Sequence, residues 1–425
     1  MMMDIDRGFM TNLTDTDYTH IQAGIFDLNG ELRGKRLPPT ALKKLQENGF
    51  AMPLSVQNVD RTGADIEDSP FVFETGDKDG QARWTGRGPV PVSWLERAAA
   101  LMPMSLYTDD QIPFEGCPRA ALSAMCAQLA QADITARAGI ELEFMILTQA
   151  HAPISENPAI LSLAELDKID VILARIEEAS HAQNIAYESI TSEAGAGQYE
   201  LVFSPSTELE KLAEDVLLMK HLIAAEAARE GYIASFAAKP LTDQAGNGLH
   251  LHLSLEMSDG RNLFAANDAL LEQAVAGVLA VLPEASLILS PFPESYLRLA
   301  AHSHAPTSLS WGYDNRTVAV RIPNSTPEAR RLEVRPASAE ANPFLLILII
   351  LAAATEGMGL QLEPPSPVDG DSYSQDLPQL PSDFETALSL FQTSERLARY
   401  LPPTLFDMFL ASKQQDGRNA KQGGK

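Results

Sequence analysis

Gly248-Leu-His-Leu-His-Leu-Ser254 alternates leucine with another residue over its whole length. Side chains on a β-strand point to opposite faces with period two. The segment reads as a strand whose Leu249, Leu251 and Leu253 face a core while His250, His252 and Ser254 share the other side. Two further segments repeat the design. Gly139-Ile-Glu-Leu-Glu-Phe144 sets Glu141 and Glu143 against Ile140, Leu142 and Phe144, and Arg331-Leu-Glu-Val-Arg335 sets Arg331, Glu333 and Arg335 against Leu332 and Val334. In Glu193-Ala-Gly-Ala-Gly-Gln-Tyr-Glu200, two glutamates bracket glycines suited to a tight turn and to close approach of backbone to a ligand, and Leu201-Val-Phe203 continues as an apolar strand. A sheet that repeatedly shows carboxylate, imidazole and guanidinium on one side is built around charge. Phosphate with a divalent metal is the charge such a set suits.

Each motif alone has a plainer explanation. Strand carboxylates commonly face solvent, lone histidines are more often satisfied residues than ligands, and Arg331 and Arg335 could pair with Glu328 or Glu333. Recurrence of the pattern, with Gly246 and Gly248 just ahead of the histidine strand, favours a site. Glu141, Glu143, Glu193, Glu200, Glu333 and His250 make a donor set of hard oxygens with a single nitrogen. That suits Mg2+ or Mn2+, whereas zinc would call for Cys and more His. Arginines beside such ions fit phosphoryl transfer, where charge on the phosphoryl oxygens must be neutralised.

At 425 residues, with 45% hydrophobic and 21% charged side chains, the chain can bury a large core and suggests two or three domains. A net charge of −25 argues against a nucleic-acid surface. Cys117 and Cys126 show no ligand spacing and form no disulfide framework, which points to a reducing cytosol. Met1 to Asp6 lacks the regions of a signal peptide, and the apolar run Phe344 to Ala354 is too short to span a bilayer. The expectation is a cytoplasmic protein with no membrane partner.

Along the chain, residues up to about Ile112 read as strand-rich. Ile21 to Asp27 and Glu31 to Arg33 flank Asn29-Gly30, a dipeptide suited to the positive φ values of a hairpin turn, and Ala51 to Val56 and Phe71-Val-Phe73 follow. Helical periodicity then appears over Ala120 to Gln131, Leu161 to Asn184 and Thr207 to Glu230, each followed by one of the polar strands. No glycine-rich strand-to-helix phosphate loop is present, so the pattern implies an α+β catalytic domain over 113–425 after an N-terminal domain over 1–112. Leu360 to Ser382 reads as an exposed loop, Phe384 to Tyr400 as an amphipathic helix, and Gln414 to Lys425 as a disordered polar tail.

The four charged stretches, in this order, resemble the glutamine synthetase family, as do Ser295-Tyr-Leu-Arg298, Trp311-Gly-Tyr-Asp-Asn-Arg316, Val320-Arg-Ile-Pro323 and Asn342-Pro-Phe344. The resemblance implies an N-terminal β-grasp domain and a catalytic domain with a curved antiparallel sheet flanked by helices. It also implies a homo-oligomer of stacked rings, such as a dodecamer, in which a neighbour completes each site. By resemblance Glu143, Glu193 and Glu200 would hold one metal, and Glu141, His250 and Glu333 the second. Glu188, His252, Ser254 and Arg331 would contact the nucleotide of ATP, Arg316 and Arg321 its phosphates. Arg298 and Arg335 would hold the carboxylates of glutamate, with Gly246 in the loop that touches it. Asp60, in Asn58-Val-Asp-Arg-Thr-Gly63, would be the aspartate lent across the interface.

The departures bear on the substrate. Arg298-Leu-Ala-Ala-His-Ser-His-Ala-Pro306 places His304 where glutamine synthetases proper carry a flap glutamate that helps bind and deprotonate ammonium. The usual Asp-Gly-Ser-Ser context is absent around Asp60. Asp60 to Gly63, Thr75 to Gly80 and Trp311 to Arg316 are more similar to the γ-glutamylpolyamine synthetase branch. The expected activity is an ATP-dependent ligation of the γ-carboxylate of glutamate to an organic primary amine, a polyamine or alkylamine, through a γ-glutamyl phosphate, with Asp60 or a nearby group taking the amine's proton. Glutamine synthetase using ammonia is the second reading and a non-catalytic nucleotide-binding homologue the third, the latter opposed by the presence of all six ligand-type residues.

Overall fold

The computed structural model describes residues 18–67 and 69–423, so the signal-peptide reading of Met1 to Asp6 lies outside the described residues. Two sheets organise the chain. The first contains β1 (His20–Phe26), β2 (Leu32–Leu37), β3 (Phe50–Pro53), β4 (Asp79–Trp84), β5 (Val90–Pro91) and β6 (Ala99–Tyr107). Its order is β2-β1-β6-β4-β3, with β5 on β6 and with β6 running parallel to β1. A hairpin, the helix Leu42–Asn48 packed near β4, and a last long strand beside the first make the arrangement the β-grasp expectation requires. The β1–β2 turn is built on Asp27, whose Oδ1 accepts from the backbone N–H of Asn29 and Glu31 at 2.8 and 2.9 Å. Only Gly30 takes a positive φ, +81°, so the left-handed geometry expected of the Asn29-Gly30 pair belongs to the glycine alone. Phe71 to Phe73 lies in turns, not a strand. The strand unseen in the sequence is β6, buried over nearly its whole length, because a strand covered on both faces does not alternate.

The second sheet contains β7 (Ile134–Leu147), β8 (Tyr187–Ser192), β9 (Gln198–Phe203), β10 (Ile233–Ser235), β11 (Leu249–Met257), β12 (Trp311–Tyr313), β13 (Val320–Ile322) and β14 (Leu332–Val334). Its order is β12-β13-β14-β11-β7-β9-β8, with β10 on β7, and every pairing but β12–β13 is antiparallel. Helices Pro118–Gln131, Asp170–Ala182 and Leu209–Arg229 interleave with these strands, and Leu163–Asp167 is a separate short helix. Pro343–Gly359 starts cleanly: the Asn342 side chain accepts from Phe344 N at 3.0 Å and Pro343 occupies the first turn, where no N–H is needed. This helix packs on Asp268–Leu289, a helix long and apolar enough to cross a bilayer but with 72% of its apolar window buried in the protein. That burial is what a core helix shows.

The C-terminal segment departs most from expectation. Phe384 to Tyr400 is two helices, Phe384–Gln392 and Leu397–Tyr400, and the described part of the expected disordered tail is instead the end of a helix, Pro403–Gly423. Lys413, Gln415 and Asp416 on it are buried. Lys413 Nζ donates to Asn29 Oδ1 at 2.8 Å and Asp416 Oδ2 at 2.7 Å and lies 4.3 Å from the centre of the Phe292 ring. Polar residues here pack because their partners are supplied by the N-terminal sheet's loops, far away in sequence.

Candidate active site

Strand register assembles the site. His250 on β11 lies opposite Glu141 on β7, Glu143 on β7 opposite Glu200 on β9, and His252 on β11 opposite Glu333 on β14. Directly opposed residues share a face. Four adjacent strands therefore gather the charged set on one side, while Ile140, Leu142, Leu201, Leu251, Leu332 and Val334 are fully buried on the other.

Glu141, His250 and Glu333 offer ligand atoms within 4.8 Å of one another, and so do Glu143, Glu200 and His250. Glu193 follows β8 and lines the same cavity without joining either tight group. The His250 ring puts Nδ1 3.0 Å from Glu141 Oε2, which leaves Nε2 buried, unpartnered and 3.9 Å from Glu143 Oε1. Gly248 keeps the space beside it open: a Cβ there would fall 2.6 Å from Arg298 Nη2 and 2.8 Å from His250 Nε2. A bare imidazole lone pair among converging carboxylates is a donor set that fits a divalent cation. Electrostatics agree. Burial, then Glu141, Glu143, Glu193 and Glu333, push the Glu200 carboxyl up to about 10, and burial followed by Glu143 pushes Glu193 up to about 7. Burial would raise Glu141 and Glu333 too. The hydrogen bonds from His250 and His252 hold Glu141 well below the usual carboxylate range, and Arg335 with the two histidines holds Glu333 at about 2. So much negative charge out of water calls for positive charge between the strands.

His252 is oriented from both sides. Arg331 Nε donates to its Nδ1 at 3.1 Å, so the proton sits on Nε2, which lies 2.9 Å from Glu141 Oε1. His252, Ser254, Arg331 and Glu188 line one cavity of about 520 Å3. Glu143, Glu193, Glu200, His250, Gly246, Arg298, His304, Arg316 and Arg335 line a second of about 410 Å3, and Glu141 lines both. Arg298 is buried and donates to Pro336 O at 2.9 Å; burial lowers its guanidinium to about 10, still cationic near neutrality. Arg335 bonds Glu333. Arg321 lines neither cavity: it spans Glu333 at 2.8 Å and Asp314 at 2.5 Å.

Asp60 also lies away from both cavities. It is 1% exposed, and its Oδ1 accepts from Thr62 N, Thr62 Oγ1 and Ala64 N while Oδ2 accepts from Gln415 and Asn419. Those donors outweigh burial and keep its carboxyl below the usual range, so the expected role as proton acceptor does not fit this residue. Two residues of the site went unnoticed in the sequence. Gln198 Nε2 donates to Gly246 O at 3.0 Å and Asn247 Oδ1 at 3.1 Å, tying the β8–β9 turn to the loop before β11. Its position two residues before Glu200, on the same strand face, was the available signal.

Residues 115–423 match the glutamine synthetase catalytic domain. The chain belongs to the glutamine synthetase family. It is 29% identical to the gamma-glutamylputrescine synthetase PuuA of Escherichia coli K12 over 435 residues, 96% of this chain and 90% of that protein. It is equally 29% identical to a glutamine synthetase of Thermococcus kodakarensis, over 360 residues covering 82% and 76% of the two chains. In fold it is similar to the solved GmaS/ADP complex, with a TM-score of 0.83, 24% identity, and 96% and 94% of the two chains covered. Enzymes of this family use ATP and divalent metal ions, and the α+β sheet with its two acidic clusters is the family's scaffold in this chain.

Proposed function

We propose that this family member is an ATP-dependent ligase joining the γ-carboxylate of L-glutamate to an organic primary amine. One observation carries the reading. Glu141 lines two cavities, one shared with His252, Ser254 and Arg331, the other with Arg298, Arg335, His304 and the cluster of Glu143, Glu200 and His250. A nucleotide in the first would aim its phosphates toward Glu141, and an amino acid held by guanidinium groups in the second would meet them there. One relative, matched over 96% of this chain, is a gamma-glutamylputrescine synthetase, which supports an organic amine.

A γ-carboxylate oxygen attacks the terminal phosphorus of ATP, releasing ADP and giving an acyl phosphate. The amine nitrogen then attacks the acyl carbon, phosphate leaves, and the nitrogen loses its proton. Divalent ions held by Glu141, His250 and Glu333 and by Glu143, Glu193 and Glu200 would supply charge neutralisation on the phosphates. Arg298 and Arg335 fix the amino acid. Arg316, exposed at the rim of the same cavity, offers positive charge to the leaving phosphate. His304, which lines the same cavity in the place of a flap glutamate, takes the amine's proton. We further propose that the chain divides near residue 112 into two domains and that it works as a cytoplasmic ring in which a neighbour closes the amine side. Phosphate release with ATP, Mg2+ and glutamate against a panel of amines tests the reading. Higher kcat/KM for an organic amine than for ammonia supports it, and ammonia equalling every amine returns glutamine synthetase to first place.

A further inference from the structure

Val368 to Leu380, within the stretch expected to be an exposed loop, is stitched along the segment from Ala305 to Thr317. Val368 N donates to Trp311 O at 2.7 Å, Leu309 N to Pro378 O at 2.7 Å and Leu380 N to Thr307 O at 2.8 Å. Side chains complete the seam. At one end Asn315 Nδ2 donates to Gly370 O at 2.8 Å, Ser372 N to Thr317 Oγ1 at 3.0 Å and Ser372 Oγ to Thr317 O at 2.7 Å. Arg316 stands between those two anchored residues. At the other end the Tyr373 hydroxyl donates to Ala305 O at 2.8 Å, and its ring centre lies 5.1 Å from that of His302. Ala305 directly follows His304. One short turn, Ser372–Ser374, capped by Asp371 Oδ1 accepting from Tyr373 N at 3.0 Å, therefore bonds beside both His304 and Arg316. Each of these is exposed, and each lines the 410 Å3 cavity.

The backbone at His304 needs such a hold. His302 and His304 sit at φ +61° and +63°, in the left-handed region that residues with a Cβ rarely occupy. Two of them within three positions persist only where surrounding bonds over-determine the chain. Ser303 Oγ donates to Ala300 O at 2.6 Å and to Arg298 O at 3.0 Å, which closes the turn on itself. Tyr373 supplies the hold from outside it. Burial pushes the Tyr373 phenol above its ordinary value against the pull of Arg335 and Arg298, so the hydroxyl keeps its proton near neutrality within reach of both guanidinium groups.

We propose that Tyr373 is a positioning residue for His304 and Ser372 one for Arg316, so that a single turn keeps the acceptor of the amine's proton and the cation facing phosphate in one frame. The inference rests on the ligase reading for what those two groups do, and goes beyond it by assigning what holds them. Every bond in it lies within one chain, whatever a neighbour adds on the amine side. The two anchors are separate, so their effects on the two halves of the reaction should be separable.

The test measures two rates near neutral pH with ATP, Mg2+ and glutamate. One is phosphate release with propylamine. The other, without amine, is positional isotope exchange in ATP labelled at its β,γ-bridging oxygen, which reports acyl phosphate formation alone. Tyr373→Phe keeps the ring and loses one hydrogen bond. It should lower kcat/KM for propylamine by about fivefold to tenfold and leave the exchange rate within about twofold of wild type. Hydrogen exchange of the backbone amides of residues 299–306 should rise severalfold, with the assembly size by light scattering unaltered. Ser372→Ala should slow both rates, because Arg316 faces phosphate in both halves. An equal loss of both rates in Tyr373→Phe, no loss in either, a change in assembly size, or unchanged hydrogen exchange over 299–306 overturns the role of Tyr373. Ser372→Ala with wild-type isotope exchange overturns that of Ser372. If ammonia alone supports turnover, the ligase reading fails, and the same split measured with ammonia still decides whether Tyr373 positions His304.

Discussion

Glu141 and His250 face each other across the β7–β11 ladder, with imidazole Nδ1 3.0 Å from a carboxylate oxygen. One face of that imidazole is spent on orientation, and the buried Nε2 is left for a ligand. The pair links the two acidic clusters, because His250 belongs to both.

Crowded carboxylates trade stability for function. Burial and four like charges disfavour the ionised form of Glu200. Glu200→Gln should therefore lower turnover by a factor of at least about 100 while raising the melting temperature of the metal-free protein. Added Mg2+ should stabilise the wild type much more than the variant. An unchanged Mg2+-dependent rise in melting temperature for Glu200→Gln would remove Glu200 from the ligand set.

Arg331 donates to His252 in the cavity proposed for the nucleotide. Arg331→Ala should raise KM for ATP roughly tenfold, a loss of about 1.4 kcal/mol, with a smaller change in KM for glutamate. Equal effects on both substrates would show that Arg331 does not act through the nucleotide cavity.

His304 sets the nucleophile in the proposed mechanism. His304→Glu places a fixed negative charge beside the amine side of the cavity, which favours a small cation. The ratio of kcat/KM for ammonia to that for propylamine should rise by about tenfold or more. A ratio that stays constant would mean that discrimination lies elsewhere.

Asp60 anchors two segments at once. Asp60→Ala leaves Gln415 and Asn419 without their acceptor and should cost about 1–3 kcal/mol, read as a lower denaturation midpoint. The folded state lowers the Asp60 carboxyl below its ordinary value of 3.8. Its contribution is therefore present above that pH and is lost as pH falls through the lower folded value. The stability gap between wild type and variant should close in acid.

Lys220 gives the same sign of pH dependence at the alkaline end of the scale. Burial lowers its ammonium from 10.5 to about 8, against the pull of Glu340 and Glu31. Between those two values the unfolded chain holds the extra proton, so wild-type stability relative to Lys220→Met should rise as pH climbs through that window. Melting curves at pH 7 and pH 9.5 should show the relative position of the two proteins move in favour of the wild type, on the order of a few °C.

The charged strands were legible in the sequence because each sets one apolar face against one ionisable face, and register then brings those faces together without further information. Gln198 was within reach of the same period-two argument. The turn at Leu161, expected to be the start of a helix, was not, since the hydrogen bonds that hold it come from Ser192, some thirty residues later. The helix end from Gln414 on was misread as a loose tail for a related reason: composition counts polar residues as solvent-seeking, and Gln415 and Asn419 are satisfied by Asp60 in the first domain's loop. Asp60 fell to the same blindness, its five donors coming partly from its own turn and partly from that helix.

The hydrogen bond from Gln415 to Asp60 joins residues 355 positions apart. On the ribosome, the loop that begins at Asn58 must wait for the Pro403–Gly423 helix to be made before its buried carboxylate can accept from Gln415 and Asn419. At about 5–20 residues per second that interval is roughly 20 to 70 s. During it the N-terminal sheet can pair its strands, but the loop remains unfinished. Completion of the loop is thereby coupled to completion of the helix, so a chain cut short before Gln415 lacks the finished loop.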